Sequence, residues 1–250
     1  MAVSIKSARE IELMREAGKR LAHVHQELEA MIAPGISTWE IDAKGEKLIR
    51  DCGCIPNFLH YNGYPASICV SVNDEVVHGI PRKDRYLKEG DIVSLDAGLI
   101  YKGYPSDAAR THAVGKVSTE AQKLMDVTKQ SFFEGIKMAK EGQHLHDISR
   151  AIEEYVTPYG YGIVRDLVGH GIGTALHEDP QIPNYAQKRR GVRLQAGMTL
   201  AIEPMINAGT WQVRFLRDGW TVVTKDGSLS AHYENTILVT DGEPEILTLY

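Results

Sequence analysis

Asp96, Asp107, His170, Glu203 and Glu234 have the residue types and settings to act together as a metal site. Glu203 stands in Thr199-Leu200-Ala201-Ile202-Glu203-Pro204-Met205-Ile206, and Glu234 in His232-Tyr233-Glu234-Asn235-Thr236-Ile237-Leu238. Both runs are apolar enough that an uncompensated charge would be costly to bury. Asp96 lies in Val93-Ser94-Leu95-Asp96-Ala97-Gly98, and Asp107 follows the turn-prone Tyr101-Lys102-Gly103-Tyr104. A hairpin pivoting between Tyr101 and Lys102 would set positions 96 and 107 opposite each other, with side chains about 5 Å apart. Carboxylates that close repel unless one is protonated or a cation lies between them. His170, in Val168-Gly169-His170-Gly171-Ile172-Gly173, adds an imidazole donor without compensating charge. Hard oxygens with one nitrogen suit Mn, Fe, Co or Zn, and several shared carboxylates suit two ions about 3.5 to 4 Å apart.

The elements that must hold these groups follow a repeat. An offset of 107 residues (142 − 35) places Gly35 on Gly142, Gly53 on Gly160, Gly90 on Gly197 and Asp96 on Glu203. We therefore expect one domain of two related halves, about 1–115 and 116–250, each presenting a carboxylate at the same strand position. Each half reads as helix, turn, helix and then strands. Ser7-Ala8-Arg9-Glu10 forms a capping box, and Ile11, Met14, Gly18, Leu21, His25, Leu28 and Ile32 recur at helical spacing before Pro34-Gly35. A second helix starts near Ser37 or Thr38 and runs toward Gly53, and helices are expected over about 119–140 and 144–156. Runs at 67–72, 91–100, 109–115, 162–166, 198–206, 220–224 and 232–240 are β-branched or alternating and bounded by turn residues, which predicts strands. Helices ahead of hairpin-forming strands indicate an α+β fold.

Whole-chain properties narrow the function. With 43% hydrophobic and 24% charged residues the chain is neither disordered nor low in complexity. No apolar run approaches the roughly 20 residues that span a bilayer. The N-terminus is charged from Lys6 onward without an apolar core, which argues against export. A net charge of −5 gives no electrostatic reason to expect nucleic acid. Cys52, Cys54 and Cys69 cannot all pair, and no second pair completes a zinc knuckle, so quiet thiols in a reducing cytoplasm are expected. The glycines around His170 lack the dinucleotide-binding spacing, and no phosphate-loop lysine follows them.

In order and spacing, the segments Tyr61-Asn62-Gly63-Tyr64-Pro65, Val76-Val77-His78-Gly79-Ile80-Pro81, Asp96-Ala97-Gly98, Ser106-Asp107, Gly169-His170-Gly171-Ile172-Gly173, His177-Glu178, Ile202-Glu203-Pro204 and Tyr233-Glu234-Asn235-Thr236 resemble the type I methionine aminopeptidases. These are metallopeptidases of the pita-bread fold. The likeness spans nearly the whole chain and is closest to the short bacterial form. It implies a pseudo-two-fold arrangement with a curved antiparallel sheet around a dinuclear site, in which Asp96, Asp107, His170, Glu203 and Glu234 bind two divalent ions.

The resemblance further implies removal of the initiator methionine from nascent chains whose second residue is small, through a metal-activated bridging water or hydroxide. Glu203 would be the general base, His177 would donate to the developing oxyanion, and His78 would contact the leaving peptide nitrogen. Phe58, Tyr61, Tyr64, Cys69, Leu176 and Trp220 would form the methionine slot. Familiar bacterial members often carry cysteine at the position of Phe58 and phenylalanine at that of Leu176, an exchange that roughly conserves pocket volume. The remaining histidines, His23, His25, His60, His112, His144, His146 and His232, are read as structural. Nascent-chain substrates imply transient ribosome contact, and a cytoplasmic monomer is expected. Ala2 is small, so the protein is expected to process its own N-terminus. X-prolyl peptidases of the same fold carry a sizeable preceding domain, and a non-catalytic scaffold would have lost ligands. Both are less favoured.

Overall fold

The computed structural model describes residues 3–249. Met1, Ala2 and Tyr250 lie outside the described residues, and with them the self-processing expectation for Ala2. Among the described residues four α-helices form where the pattern places them. Helix α1, Ala8–Glu29, begins at Ser7, whose hydroxyl accepts from the Glu10 amide while the Glu10 carboxylate accepts from the Ser7 amide at 2.7 Å. Helix α2, Thr38–Asp51, repeats the same capping box with Ser37 and Glu40. Helix α3, Thr119–Ile136, stops four residues before the expected end, because Met138 bonds back to the Gly135 carbonyl and Lys140 bridges to Thr240. Helix α4, Leu145–Val156, buries Leu145, Ile148, Ile152 and Val156 on one face.

The architecture is α+β, as expected. Among the described residues a nine-stranded antiparallel sheet runs in the order Ile55–Pro56, Ile92–Tyr101, Tyr104–Ala113, Glu234–Leu238, Thr199–Ile202, Gly169–Gly171, Glu178–Ile182, with Ile68–Val72 paired to Ile92–Tyr101 and Glu245–Ile246 to Glu234–Leu238. Strands before and after residue 115 meet where Tyr104–Ala113 pairs with Glu234–Leu238. Helix α1 approaches this sheet closely at Gly18, where a β-carbon would stand 2.0 Å from the Leu247 carbonyl oxygen. One apolar cluster gathers α1 and α2 against the strands of the first half, and a second gathers α3 and α4 against those of the second.

The structure corrects the strands at the points that matter most for chemistry. The hairpin turns on Lys102-Gly103, both at positive φ (49° and 87°), and Tyr101 faces Tyr104. A two-residue turn with both centres left-handed matches the twist of the flanking strands. The pivot lies one residue later than expected, so Asp96 faces Ala109 and Asp107 faces Gly98. Because the shift moves every partner by two residues, both aspartates stay on the same face. The run 198–206 is not one strand. Thr199–Ile202 belongs to the large sheet and Met205–Asn207 to a three-stranded sheet with Ser230–His232 and Gly162–Ile163.

Pro204 has no N–H for the ladder and ends the first segment. Glu203 therefore sits just past a strand end, not at the mid-strand position of Asp96. The run 232–240 changes sheets in the same way at Tyr233, whose amide bonds the Pro204 carbonyl at 3.2 Å. Both glutamates thus lie at corners where the chain passes between sheets.

Candidate metal centre

The pairing register alone brings the five groups to one face. Paired residues of antiparallel strands share a face, and so do residues two apart along a strand. Ala109 faces Asp96 on one side and Glu234 on the other, and Asp107 lies two residues from Ala109. Asn235 faces Ile202, so the register carried one step further sets Glu234 across from Glu203. His170 faces Ala201, two residues from Glu203. Ala109 and Ala201, fully buried, keep the side-chain layer thin between the five groups and leave a space they can share.

His170 shows which nitrogen is free. Its Nδ1 lies 2.9 Å from the Gly171 carbonyl oxygen, a bond only an N–H can make, which leaves the lone pair on Nε2. That nitrogen points to Asp107 and Glu203, 3.7 Å from an oxygen of each. Ligand atoms of Asp107, His170 and Glu234 lie within 4.8 Å of one another. One buried oxygen each of Asp96, Asp107 and Glu234 has no hydrogen-bond partner among the described residues. Lone pairs converging without donors are unfavourable in a protein interior unless a cation or protons stand among them. The donor set therefore fits divalent metal.

The protonation preferences agree. Burial first, and then the neighbouring Asp107, push Asp96 and Glu203 well above the usual carboxyl range, and Glu234 rises for the same reasons. Asp107 is pushed up to about 7, chiefly by burial. Burial holds His170 and His78 down to about 4, each with a smaller contribution from His177, so both imidazoles are neutral at neutral pH. Neutral imidazole is the ligating form.

A cavity of about 260 Å³ opens onto this face. Every residue singled out for the site lines it: the five above with His78, His177, Phe58, Tyr61, Tyr64, Cys69, Leu176 and Trp220. Phe58, Tyr64, Cys69 and Leu176 are buried and form one apolar cluster, with Tyr61 and Trp220 packed against it. Cys69 faces Asp96 across the sheet, and the Phe58 ring occupies space left by Gly98, where a β-carbon would come within 2.6 Å of it. Trp220 is set by Asp218, whose carboxylate accepts from the amides of Trp220 and Thr221, both at 2.9 Å. Its ring stands edge-on to Tyr64 at 5.2 Å and to His78 at 6.3 Å.

His78 itself is in the left-handed region at φ 57°, uncommon outside glycine though histidine is among the residues that adopt it more readily. The backbone beside it is held at Gly79, whose carbonyl accepts from the Val70 amide and whose amide bonds the Ser71 hydroxyl. Across the cavity, His177 Nδ1 lies 2.7 Å from the Tyr61 hydroxyl, and its ring centroid is 4.3 Å from that of His170.

Two lining or flanking residues escape the sequence reading. Asn62 lines the cavity, and its positive φ of 49° within Tyr61-Asn62-Gly63 is a turn signal only. His232, taken as structural, places Nε2 3.7 Å from a Glu203 oxygen and 4.0 Å from one of Glu234. Its proximity arises from the corner at Tyr233, which local pattern does not announce.

Residues 12–241 match the model of metallopeptidase family M24. The chain is 54% identical to the methionine aminopeptidase of Clostridium acetobutylicum, with 99% of each chain covered. It is 51% identical to methionine aminopeptidase 1 of Bacillus subtilis, over 97% of this chain and 98% of that one. The crystal structure of a methionine aminopeptidase from Thermotoga maritima superposes with a TM-score of 0.97 at 46% identity, covering both chains fully. A prolidase from Pyrococcus furiosus shares the fold, with a TM-score of 0.78 at 24% identity over 98% of this chain and 65% of that one.

Proposed function

The chain belongs to metallopeptidase family M24 and is a metal-dependent aminopeptidase, and on that footing we propose that it removes the N-terminal methionine from nascent polypeptides whose second residue is small. The observation that carries this reading is the apolar slot of Phe58, Tyr64, Cys69, Leu176 and Trp220 opening directly onto a face bearing four carboxylates and one imidazole. We propose that Asp96, Asp107, His170, Glu203 and Glu234 hold two divalent ions, of Mn, Fe, Co or Zn. When bound, such ions supply Lewis-acid polarisation of the scissile carbonyl and an acidified water.

The chain's own residues do the rest. The slot takes the methionine side chain and excludes water from it. Glu203, at the cavity edge with a side chain 13% exposed, accepts the proton of the attacking water and can pass it to the leaving amine. His177, whose Nδ1 is engaged by Tyr61, has Nε2 left to donate to the carbonyl oxygen as charge develops there. His78, neutral and held by the Gly79 contacts, faces the peptide nitrogen. Residues 1–250 act as one catalytic unit of two related halves, about 1–115 and 116–250. We place it in the cytoplasm as a monomer meeting nascent chains near the ribosome, a setting that suits its three free thiols.

Apo-protein titrated with Mn, Fe, Co and Zn and assayed on Met-Ala-Ser, Leu-Ala-Ser and an X-Pro dipeptide tests the reading. Hydrolysis of the methionyl peptide is expected to exceed that of the leucyl peptide by at least about tenfold, the discrimination an apolar slot can reach for a change of side-chain shape. Equal turnover of the two would remove the slot assignment, and preference for X-Pro would replace the function. Gly98→Ala offers a second check, because its β-carbon pushes the Phe58 ring into the slot. KM for methionyl peptide should rise several-fold with kcat largely kept, and an unchanged KM would mean that Phe58 does not wall the slot.

A further inference from the structure

His177 stands on the loop 172–177 between strands Gly169–Gly171 and Glu178–Ile182, a segment with no regular structure whose apolar anchors are Ile172 at its start and Leu176 beside His177. Thr174, Ala175 and His177 are exposed, and among 173–177 only Leu176 enters an apolar cluster. Between those anchors, one carboxylate gathers the polar groups of the loop. Oε1 of Glu178 accepts from the amides of Thr174 at 2.7 Å and Ala175 at 3.2 Å and from the Thr174 hydroxyl at 3.2 Å. Oε2 accepts from Lys6 Nζ and from the Ser4 hydroxyl, both at 2.8 Å. Lys6 also donates to Ser4, and its amide bonds the Gly197 carbonyl at 2.8 Å, which fastens this part of the N-terminal segment to the body of the protein.

A lysine side chain only 5% exposed is costly unless its charge is matched, and Glu178 supplies the match. Gly173 makes the approach possible, since a β-carbon there would stand 2.4 Å from Lys6 Cε and 2.7 Å from Glu178 Oε1. Burial alone would raise the Glu178 carboxyl, but the bonds from Lys6, Ser4 and the Ala175 amide hold it down to about 2, so it is charged throughout the neutral range. Ser4, Lys6, His177 and Glu178 line a common cavity of about 330 Å³. The clamp therefore stands directly behind His177.

We propose that Lys6 and Glu178 are positioning residues that fix the Gly173–His177 loop and so hold His177 at the scissile carbonyl, which makes the N-terminal segment part of the catalytic apparatus. The catalytic half of this rests on the aminopeptidase reading; the mechanical half does not. A loose loop would misplace the His177 donor by enough to cost rate far more than methionine capture, because of the six slot residues only Leu176 rides on it.

Lys6→Met, which keeps the stem and removes the cation, tests both halves in the metal-loaded enzyme. Relative to wild type, kcat on Met-Ala-Ser should fall about tenfold or more with KM within about twofold, and Lys6→Arg should recover most of the loss. In a His177→Ala background Lys6→Met should have no further effect. Amide hydrogen exchange over 174–177 should quicken in Lys6→Met while Thr199–Ile202 keeps its protection. A wild-type kcat in Lys6→Met, or the full loss repeated in the His177→Ala background, overturns the catalytic role. Unchanged exchange over 174–177 overturns the clamp itself. Should wild-type protein not hydrolyse methionyl peptides at all, the aminopeptidase reading falls, and the exchange measurement still decides the clamp.

Discussion

Replacing Glu203 by Gln is expected to lower kcat on a methionyl peptide by at least about a hundredfold, the lower range of what a positioned general base contributes. Gln keeps the size of the side chain and one ligating oxygen but cannot carry a proton away from water. Glu203 is suited to this task by its place at the corner between sheets, where Pro204 ends the strand and the side chain reaches the cavity edge. The Asp107 and Glu234 side chains, 6% and 3% exposed, are more deeply enclosed, and Asp96, partly exposed like Glu203, is held mid-strand. Burial and the adjacent aspartates also give Glu203 a high proton affinity. KM should change little, because the proposed methionine slot is untouched. Metal content is to be measured by mass spectrometry on the same sample. A near-wild-type rate with metal retained would remove Glu203 from the role of base.

Stripping divalent ions should abolish hydrolysis and leave an apo-protein whose stability falls as pH rises from 6.5 to 8. The sign follows from the direction of the shifts. Asp96, Glu203 and Glu234 have folded-state values raised well above the usual range, and Asp107 moves from 3.8 to about 7. Their contribution is complete below about pH 4 and is lost as pH climbs through the folded-state values.

His78 and His170, held down to about 4, and His232, held down to about 3, act oppositely, favouring the folded state as pH rises toward 6.5 and then adding nothing more. Between pH 6.5 and 8 the carboxyls therefore act without that opposition, at about 1.4 kcal/mol per pH unit for each proton the folded state retains. Divalent ions replace those protons, so the melting temperature gained on adding manganese should widen from pH 6.5 to 8. A gap that narrows over that interval would contradict the convergence of uncompensated carboxylates.

Much of the centre was legible from local signals. The capping box at Ser7 set the first helix start to within a residue, because the cap is a short-range hydrogen-bond exchange, and the second helix starts at Thr38, beside the expected Ser37 or Thr38. Carboxylates inside apolar runs pointed to the centre because burying a charge requires a partner wherever the chain folds. The Asp96 and Asp107 hairpin was placed on the correct face with the wrong partners, since Lys102 adopts a left-handed turn conformation that its residue type does not favour. The runs 198–206 and 232–240 read as continuous strands in the sequence, because composition records β-preference but not the sheet to which each half belongs.

The α+β class, the apolar runs carrying acids and the motif order that resembles the family were fixed by the chain's own residue order, since they depend on neighbours within a few positions. Only the tertiary structure decided that Ala109 and Ala201 space four carboxylates and one imidazole on a single face, and that His232 stands behind Glu203. It also decided that Lys6 reaches across 172 positions to Glu178. Such pairings are set by sheet register and corner geometry, and long-range register is a property of the packed whole rather than of any segment.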